Sequence, residues 1–287
     1  DAAKAMWAFY EYPETTFEDL ITPFNFPTLR QKAKFCAIPS TSGTATEVTA
    51  FAVITDYQKG IKYPLADFNI TPDVAIVDPE LMRSVPAHFK AYQGFDALFY
   101  STEGYISAAR NEFSKMVAAE AIRNVARNLA VSIREPENME AMSAVALGSY
   151  LSGIQMAVGS CTSAHPLEHA LSAYHEKLPH GAGLIMISKA YYSHFVEQHA
   201  CDDRFIEMAK LMGMEDASKP EDFITALVKL QEDCGVADLK MSHYGIEPSE
   251  FPKMVRNARD TLGPNFQNDP CPLSDEDCVR IYQKSYR

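Results

Sequence analysis

The spacing of hydrophobic residues changes character near residue 86. Before that point, apolar residues come as short runs rich in Val, Ile and Phe at 35–39, 48–55 and 74–78, each bounded by turn-forming residues, a pattern that predicts three strands. Ahead of them, Ala2, Ala3, Ala5, Met6 and Trp7 favour a helix from the first residue. Beyond Pro86 the apolar positions recur three, four or six residues apart, as at Met116, Ile122, Val125, Leu129 and Ile133, and 139–158 is a second run rich in Ala, Met and Leu. Both fit amphipathic or buried helices. More helices are predicted near 203–212, 221–233, 248–260 and 274–284, the last opening Ser274-Asp275-Glu276-Asp277 as an N-terminal cap. Together these patterns predict a partial α/β unit over 1–84 followed by a large all-helical domain over 85–287, with strands confined to the first.

Composition removes some functions without changing that fold class. With 287 residues the chain can bury a large core. Hydrophobic and charged contents of 47% and 22% are those of an ordinary folded protein, and no apolar run is expected to span a bilayer. A formal net charge of −12, with no basic stripe, argues against nucleic-acid binding. The six cysteines (Cys36, Cys161, Cys201, Cys234, Cys271 and Cys278) show no two-apart pairing, which speaks against a zinc ribbon or disulfide scaffold and for a reducing cytoplasm. The opening Asp1-Ala2-Ala3-Lys4 has neither an initiating Met nor a signal-peptide pattern, so the chain is expected to be cut from a longer one.

Three stretches carry candidate chemistry. Between Ser160 and Gly183 lie four of the eight histidines, His165, His169, His175 and His180. His165 and His169 are four apart and so share a helix face, while His180 sits in a Leu-Pro-His-Gly turn or helix start. Imidazoles so clustered suit zinc or iron, although histidines also gather by chance. The loop Pro39-Ser40-Thr41-Ser42-Gly43-Thr44-Ala45-Thr46-Glu47 surrounds a glycine with small hydroxyl residues. That composition lets backbone N–H groups approach phosphate closely, and it also describes an ordinary polar loop. Asp96, in Gly94-Phe95-Asp96-Ala97-Leu98-Phe99-Tyr100, is a carboxylate among apolar neighbours, which demands a cation, an Arg or a capping role in compensation.

Taken in order, these stretches resemble the iron-containing, group III alcohol dehydrogenases, a family that includes lactaldehyde reductase and butanol dehydrogenases and has the dehydroquinate synthase-like fold. The family's Pro-Thr-Thr-x-Gly-Thr-x-x-Glu-Val-Thr loop is similar to residues 39–49, and 72–79 resembles the strand leading out of its nucleotide domain. The resemblance implies that 1–84 is part of a nucleotide-binding domain and 85–287 the metal-binding domain. It implies NAD or NADP contacts at Ser40, Thr41, Gly43 and Thr44, with Lys62 near the cofactor. It also implies Fe2+ or Zn2+ held by Asp96, His165 and His180, with His169 as a further active-site residue. Tyr100 stands where the family has another ligand histidine, four residues after the Asp, an exchange expected to weaken metal binding. The family's Gly-Gly-Gly-Ser phosphate loop would lie upstream of Asp1.

The activity this implies is hydride transfer between a small alcohol and a nicotinamide, assisted by a metal Lewis acid. The expected assembly is a homo-oligomer, a dimer, with small alcohols or aldehydes as its substrates. Alternatives are a glycerol dehydrogenase or dehydroquinate synthase-like enzyme, or a non-catalytic relative that has lost full metal binding through Tyr100.

Overall fold

A computed structural model describes all residues, 1–287. Helices α1 (Ala2–Glu11) and α2 (Phe17–Leu20) precede four strands, β1 (Cys36–Ala37), β2 (Phe51–Asp56), β3 (Ile61–Ala66) and β4 (Val74–Ala75). Every later α-element is a helix: α3 (Ala87–Ile106), α4 (Glu112–Arg134), α5 (Met139–Val158), α6 (Ala164–Tyr174), α7 (His180–Glu197), α8 (Asp202–Leu211), α9 (Glu221–Asp233), α10 (Phe251–Leu262) and α11 (Asp275–Ser285). Short 3-10 turns fill several connections.

The strands differ from the expected three. β1 and β4 are two-residue remnants paired in parallel, Cys36 opposite Val74 and Ala37 opposite Ala75. β2 begins three residues later than the apolar run does, because Ala45 turns the chain at φ 50° and Val48 N–H closes that turn on the Ala45 carbonyl at 3.1 Å. β3, unforeseen, pairs antiparallel with β2 from Phe51↔Ala66 to Asp56↔Ile61. Lys62 and Pro64 hide it by breaking its apolar pattern, and Pro64 is tolerated because a two-stranded ribbon leaves an edge free of ladder bonds. The Asp56 carboxylate accepts from Gln58 and Lys59 N–H to close the hairpin turn. Gly60 completes it at φ 65°, where a Cβ would come within 2.3 Å of the Tyr174 ring.

Apolar side chains gather into separate cores. The smaller one joins Trp7 and Ala8 of α1 to Leu20, Phe26, Leu29, Ala52, Leu65 and Ile70. Lys4 ties α1 to the start of the hairpin, its ammonium donating at 2.7 Å to the carbonyls of both Thr49 and Phe51. The larger core runs through the helices from Ala91 to Tyr282 and is centred on buried aromatics such as Phe95, Phe99, Tyr191, Tyr192, Phe205 and Phe223. Helices α3, α4 and α5 pack on one another, α3 also packs on α7, and α6 lies between α7 and α10. Local signals set several ends. Asn111 and Ser114 form a capping box on α4, and Ser274 and Asp277 form the one expected on α11.

One expectation about membranes needs correction. Helix α5 is long and apolar enough, by length and composition, to cross a bilayer. Half of that stretch is buried inside the protein. Gly148 admits Val125 of α4 so closely that a Cβ would come within 2.6 Å, and Gly153 does the same for Ala45 at 2.5 Å. Part of its apolar surface thus packs on α4 and on the 39–49 loop.

Candidate metal centre

Three helices and one strand meet at the candidate site. Helix α3 supplies Asp96, Tyr100 and Glu103, which its periodicity places on one face. Helix α6 supplies His165, Glu168 and His169, and α7 begins with His180. Strand β3 brings Lys62 against them. Tight glycine contacts fix the approach of α7. A Cβ on Gly181 would lie 2.1 Å from the Tyr92 carbonyl oxygen of α3, and one on Gly183 would lie 2.7 Å from Glu168 Oε1. The His180-Gly181-Ala182-Gly183 sequence thus lets the first turn of α7 press its backbone onto α3 at Gly181 and onto α6 at Gly183.

The side chains form a nearly symmetric arrangement around one oxygen. His165 Nε2 lies 3.3 Å and His180 Nε2 3.4 Å from Asp96 Oδ1. On the far side of each ring, Nδ1 meets a buried carboxylate: His165 pairs with Glu103, and His180 with Glu168. The other Glu103 oxygen accepts from Thr162 N–H at 3.0 Å and from the Thr162 hydroxyl at 3.1 Å. Glu168 Oε2 also faces the Lys62 ammonium at 3.9 Å, while its Oε1 and His169 Nδ1 are buried without hydrogen-bond partners. Tyr100 stacks on His165 at 4.2 Å between ring centroids and 19° between planes.

Charge explains what this arrangement wants. Asp96, Glu103 and Glu168 are 3%, 0% and 0% exposed, so three carboxylates face a single ammonium where water cannot screen them. Burial would lower the pKa of His165, but Glu103 and Asp96 outweigh it and push it up to about 10. Burial likewise opposes protonation of His180, and Glu168 and Asp96 raise it instead. Burial alone would raise Asp96; the two imidazoles hold it down at about 2. Two imidazolium protons or one divalent cation would each balance the carboxylates. His169 differs: burial first, then Lys62 and its neighbouring histidines, drives its pKa well below the ordinary range. Tyr100 is pushed well above the phenol range by burial and then by Asp96.

Of the residues singled out in the sequence, Asp96, His165 and His180 offer donor atoms all within 4.8 Å of one another, and Glu168, His169 and His180 do the same. The His169 ring lies 5.1 Å from that of His180. Lys62 finds its ion-pair partner in this cluster and not in the hydroxyl-rich loop. That loop lies on α3 and α5. Ser42 and Gly43 are buried, whereas Ser40, Thr41 and Thr44 face outward. Gly43 backs onto Gln93, where a Cβ would sit 3.1 Å from its backbone, and Ser149 donates to the Gly43 carbonyl at 3.3 Å. His175 stands apart, paired with Glu250 at 3.0 Å.

Sequence reasoning missed Glu103 and Glu168. Their signal was present: Glu103 falls seven residues after Asp96, two turns along the same face, and Glu168 lies between His165 and His169 on a helix with no polar side to receive it.

Comparisons with known proteins agree on one group. Residues 1–79 match the model described as iron-containing alcohol dehydrogenase, and 90–286 match the C-terminal model of the Fe-containing alcohol dehydrogenase family. The chain is 38% identical over 277 residues to the NADPH-dependent butanol dehydrogenase of Clostridium saccharobutylicum, covering 94% of this chain and 68% of that one. It is 33% identical over 300 residues to the bifunctional aldehyde-alcohol dehydrogenase of Escherichia coli K12, of which it spans 33%. The solved iron-containing alcohol dehydrogenase of Thermococcus thioreducens superposes with a TM-score of 0.85 at 27% identity, covering 99% of this chain and 74% of that one. The partial α/β unit and large helical body are therefore those of this fold.

Proposed function

This chain belongs to the iron-containing alcohol dehydrogenase family, and from that premise we propose that it interconverts a small alcohol with its aldehyde or ketone, using NAD or NADP and a divalent metal held by Asp96, His165 and His180. The single observation that carries this reading is the approach of two imidazole Nε2 atoms to one carboxylate oxygen at 3.3 and 3.4 Å. The donor set fits the ion: two imidazoles and a carboxylate suit zinc and iron, and catalytic sites with three protein ligands keep a position open for substrate. When bound, iron or zinc supplies Lewis acidity toward the substrate oxygen.

The chain's own residues do the rest. Helices α3, α6 and α7 close the back of the site, so the carboxylates act at low dielectric. His169, held neutral by burial, is a poor base at neutral pH and is suited to orienting substrate through a hydrogen bond. Ser40, Thr41 and Thr44 present hydroxyls outward around Gly43 to contact the dinucleotide. Lys62 adds positive charge between the strand and the histidines.

A second reading, a relative without catalytic metal, is favoured by Tyr100, whose ring lies against His165 where the family has a ligand. Both are tested by loading the protein with zinc or iron, measuring retained metal, and following alcohol-dependent reduction of NAD+ and NADP+. The first reading expects about one ion per chain and turnover, both lost in Asp96→Asn. Absence of retained metal and of turnover would overturn it in favour of the second.

A further inference from the structure

Resting on the metal site proposed above, we propose that Glu103 and Glu168 are paired positioning residues, each holding one ligand imidazole as its Nδ1–H tautomer so that both Nε2 lone pairs converge beside Asp96. A neutral imidazole binds a metal through whichever nitrogen lacks the proton, and the partner of the other nitrogen decides which that is. Each ring here has its Nδ1 against a fully buried carboxylate and its Nε2 toward the same Asp96 oxygen. A carboxylate is an acceptor only, so it selects the Nδ1–H form at both positions.

The two glutamates are not equivalent. Glu103 is pinned at both oxygens, because the second accepts from Thr162 N–H and the Thr162 hydroxyl. In Glu103→Gln the amide oxygen must stay on the Thr162 donors, since turning the NH2 toward them would set donor against donor. The NH2 then points at His165 Nδ1, which becomes an acceptor, and the proton moves to Nε2, the atom needed for the metal. Glu168 has no such second lock. Its Oε1 is unpartnered and rests near Gly183 Cα, while Oε2 faces both His180 and Lys62. In Glu168→Gln the amide oxygen can keep the His180 side, where Lys62 also favours it, and the tautomer survives with only the charge lost.

The experiment is a zinc titration of wild type, Glu103→Gln and Glu168→Gln against a competing chromogenic chelator, with helicity checked by circular dichroism. Losing the carboxylate that holds a ligand imidazole costs about 10–100-fold in metal affinity. Glu103→Gln is expected at the upper end of that range, roughly 100-fold, and Glu168→Gln near the lower, roughly tenfold. Equal affinities for all three proteins, with wild type binding, would overturn the positioning role and leave the metal reading intact. Failure of wild type to bind would overturn both. The wild-type protein supplies an independent check: with ¹⁵N-labelled histidine and bound zinc, two rings should coordinate through Nε2 with Nδ1 protonated. Coordination through Nδ1 in either would contradict the proposal, whatever the variants do.

Discussion

Tyr100 lies on the same face of α3 as Asp96 and Glu103. A phenol binds a cation well only as phenolate, and burial together with Asp96 holds this one protonated far above neutral pH. Its ring instead stacks on His165. Tyr100→His should therefore strengthen zinc affinity by about tenfold or more, roughly 1.4 kcal/mol; calorimetry that finds no gain would show that the stacked phenol costs the site nothing. Gly181 is a second position where one atom decides. Alanine there would put a Cβ 2.1 Å from the Tyr92 carbonyl, a backbone atom that cannot rotate away. Gly181→Ala should lose about 1–3 kcal/mol of stability, the usual cost of overpacking, despite the better helix propensity of Ala. The sequence made the histidines and Asp96 visible because their types are unusual on apolar helices. It hid the acceptor role of Glu103 and Glu168, because a glutamate on a helix ordinarily faces water, and only the packed structure gives each an imidazole partner.

At the scale of elements, the helices were legible and the strands only partly. Apolar periodicity over many residues fixes a helix, so α4, α5, α9 and α11 lie close to where spacing put them. A strand of six residues containing Lys62 and Pro64 offers no such repetition, and β3 exists because β2 and α6 give it pairing and cover. The segment before α11 shows how a buried charge joins elements. Asp269 accepts from Ser163 N–H and the Ser163 hydroxyl at 3.0 Å and from the Tyr191 hydroxyl at 3.1 Å, tying it to the start of α6 and to α7. Burial nonetheless raises its pKa to about 7. Between the unfolded value near 4 and 7, the folded state binds more protons than the unfolded one, so this group makes stability fall as pH rises through that window. Asp269→Asn removes the effect. Its stability relative to wild type should climb from pH 4 to pH 7 and level off above, by roughly 4 kcal/mol at most. Parallel pH profiles in thermal melts of the two proteins would show that Asp269 does not titrate in this window.

The whole molecule places a large helical core beside a smaller one built around α1 and the hairpin, and the proposed centre lies where α3, α6 and α7 receive Lys62 from β3. The change of apolar spacing near Pro86 made that division of strand and helix readable, since each period imposes its own element. The expected convergence of Asp96, His165 and His180 was carried by the family resemblance and not by spacing, because no local pattern encodes which helices will touch; Lys62, expected near the cofactor, faces Glu168 instead. Whether Asp96, His165 and His180 form one metal centre can be read from X-ray absorption at the zinc edge of the zinc-loaded protein. Zinc should show nitrogen and oxygen neighbours at about 2.0–2.2 Å, with multiple scattering from two imidazoles that diminishes in His180→Gln. An all-oxygen shell with no imidazole signal, or a spectrum unchanged by His180→Gln, would contradict a shared centre.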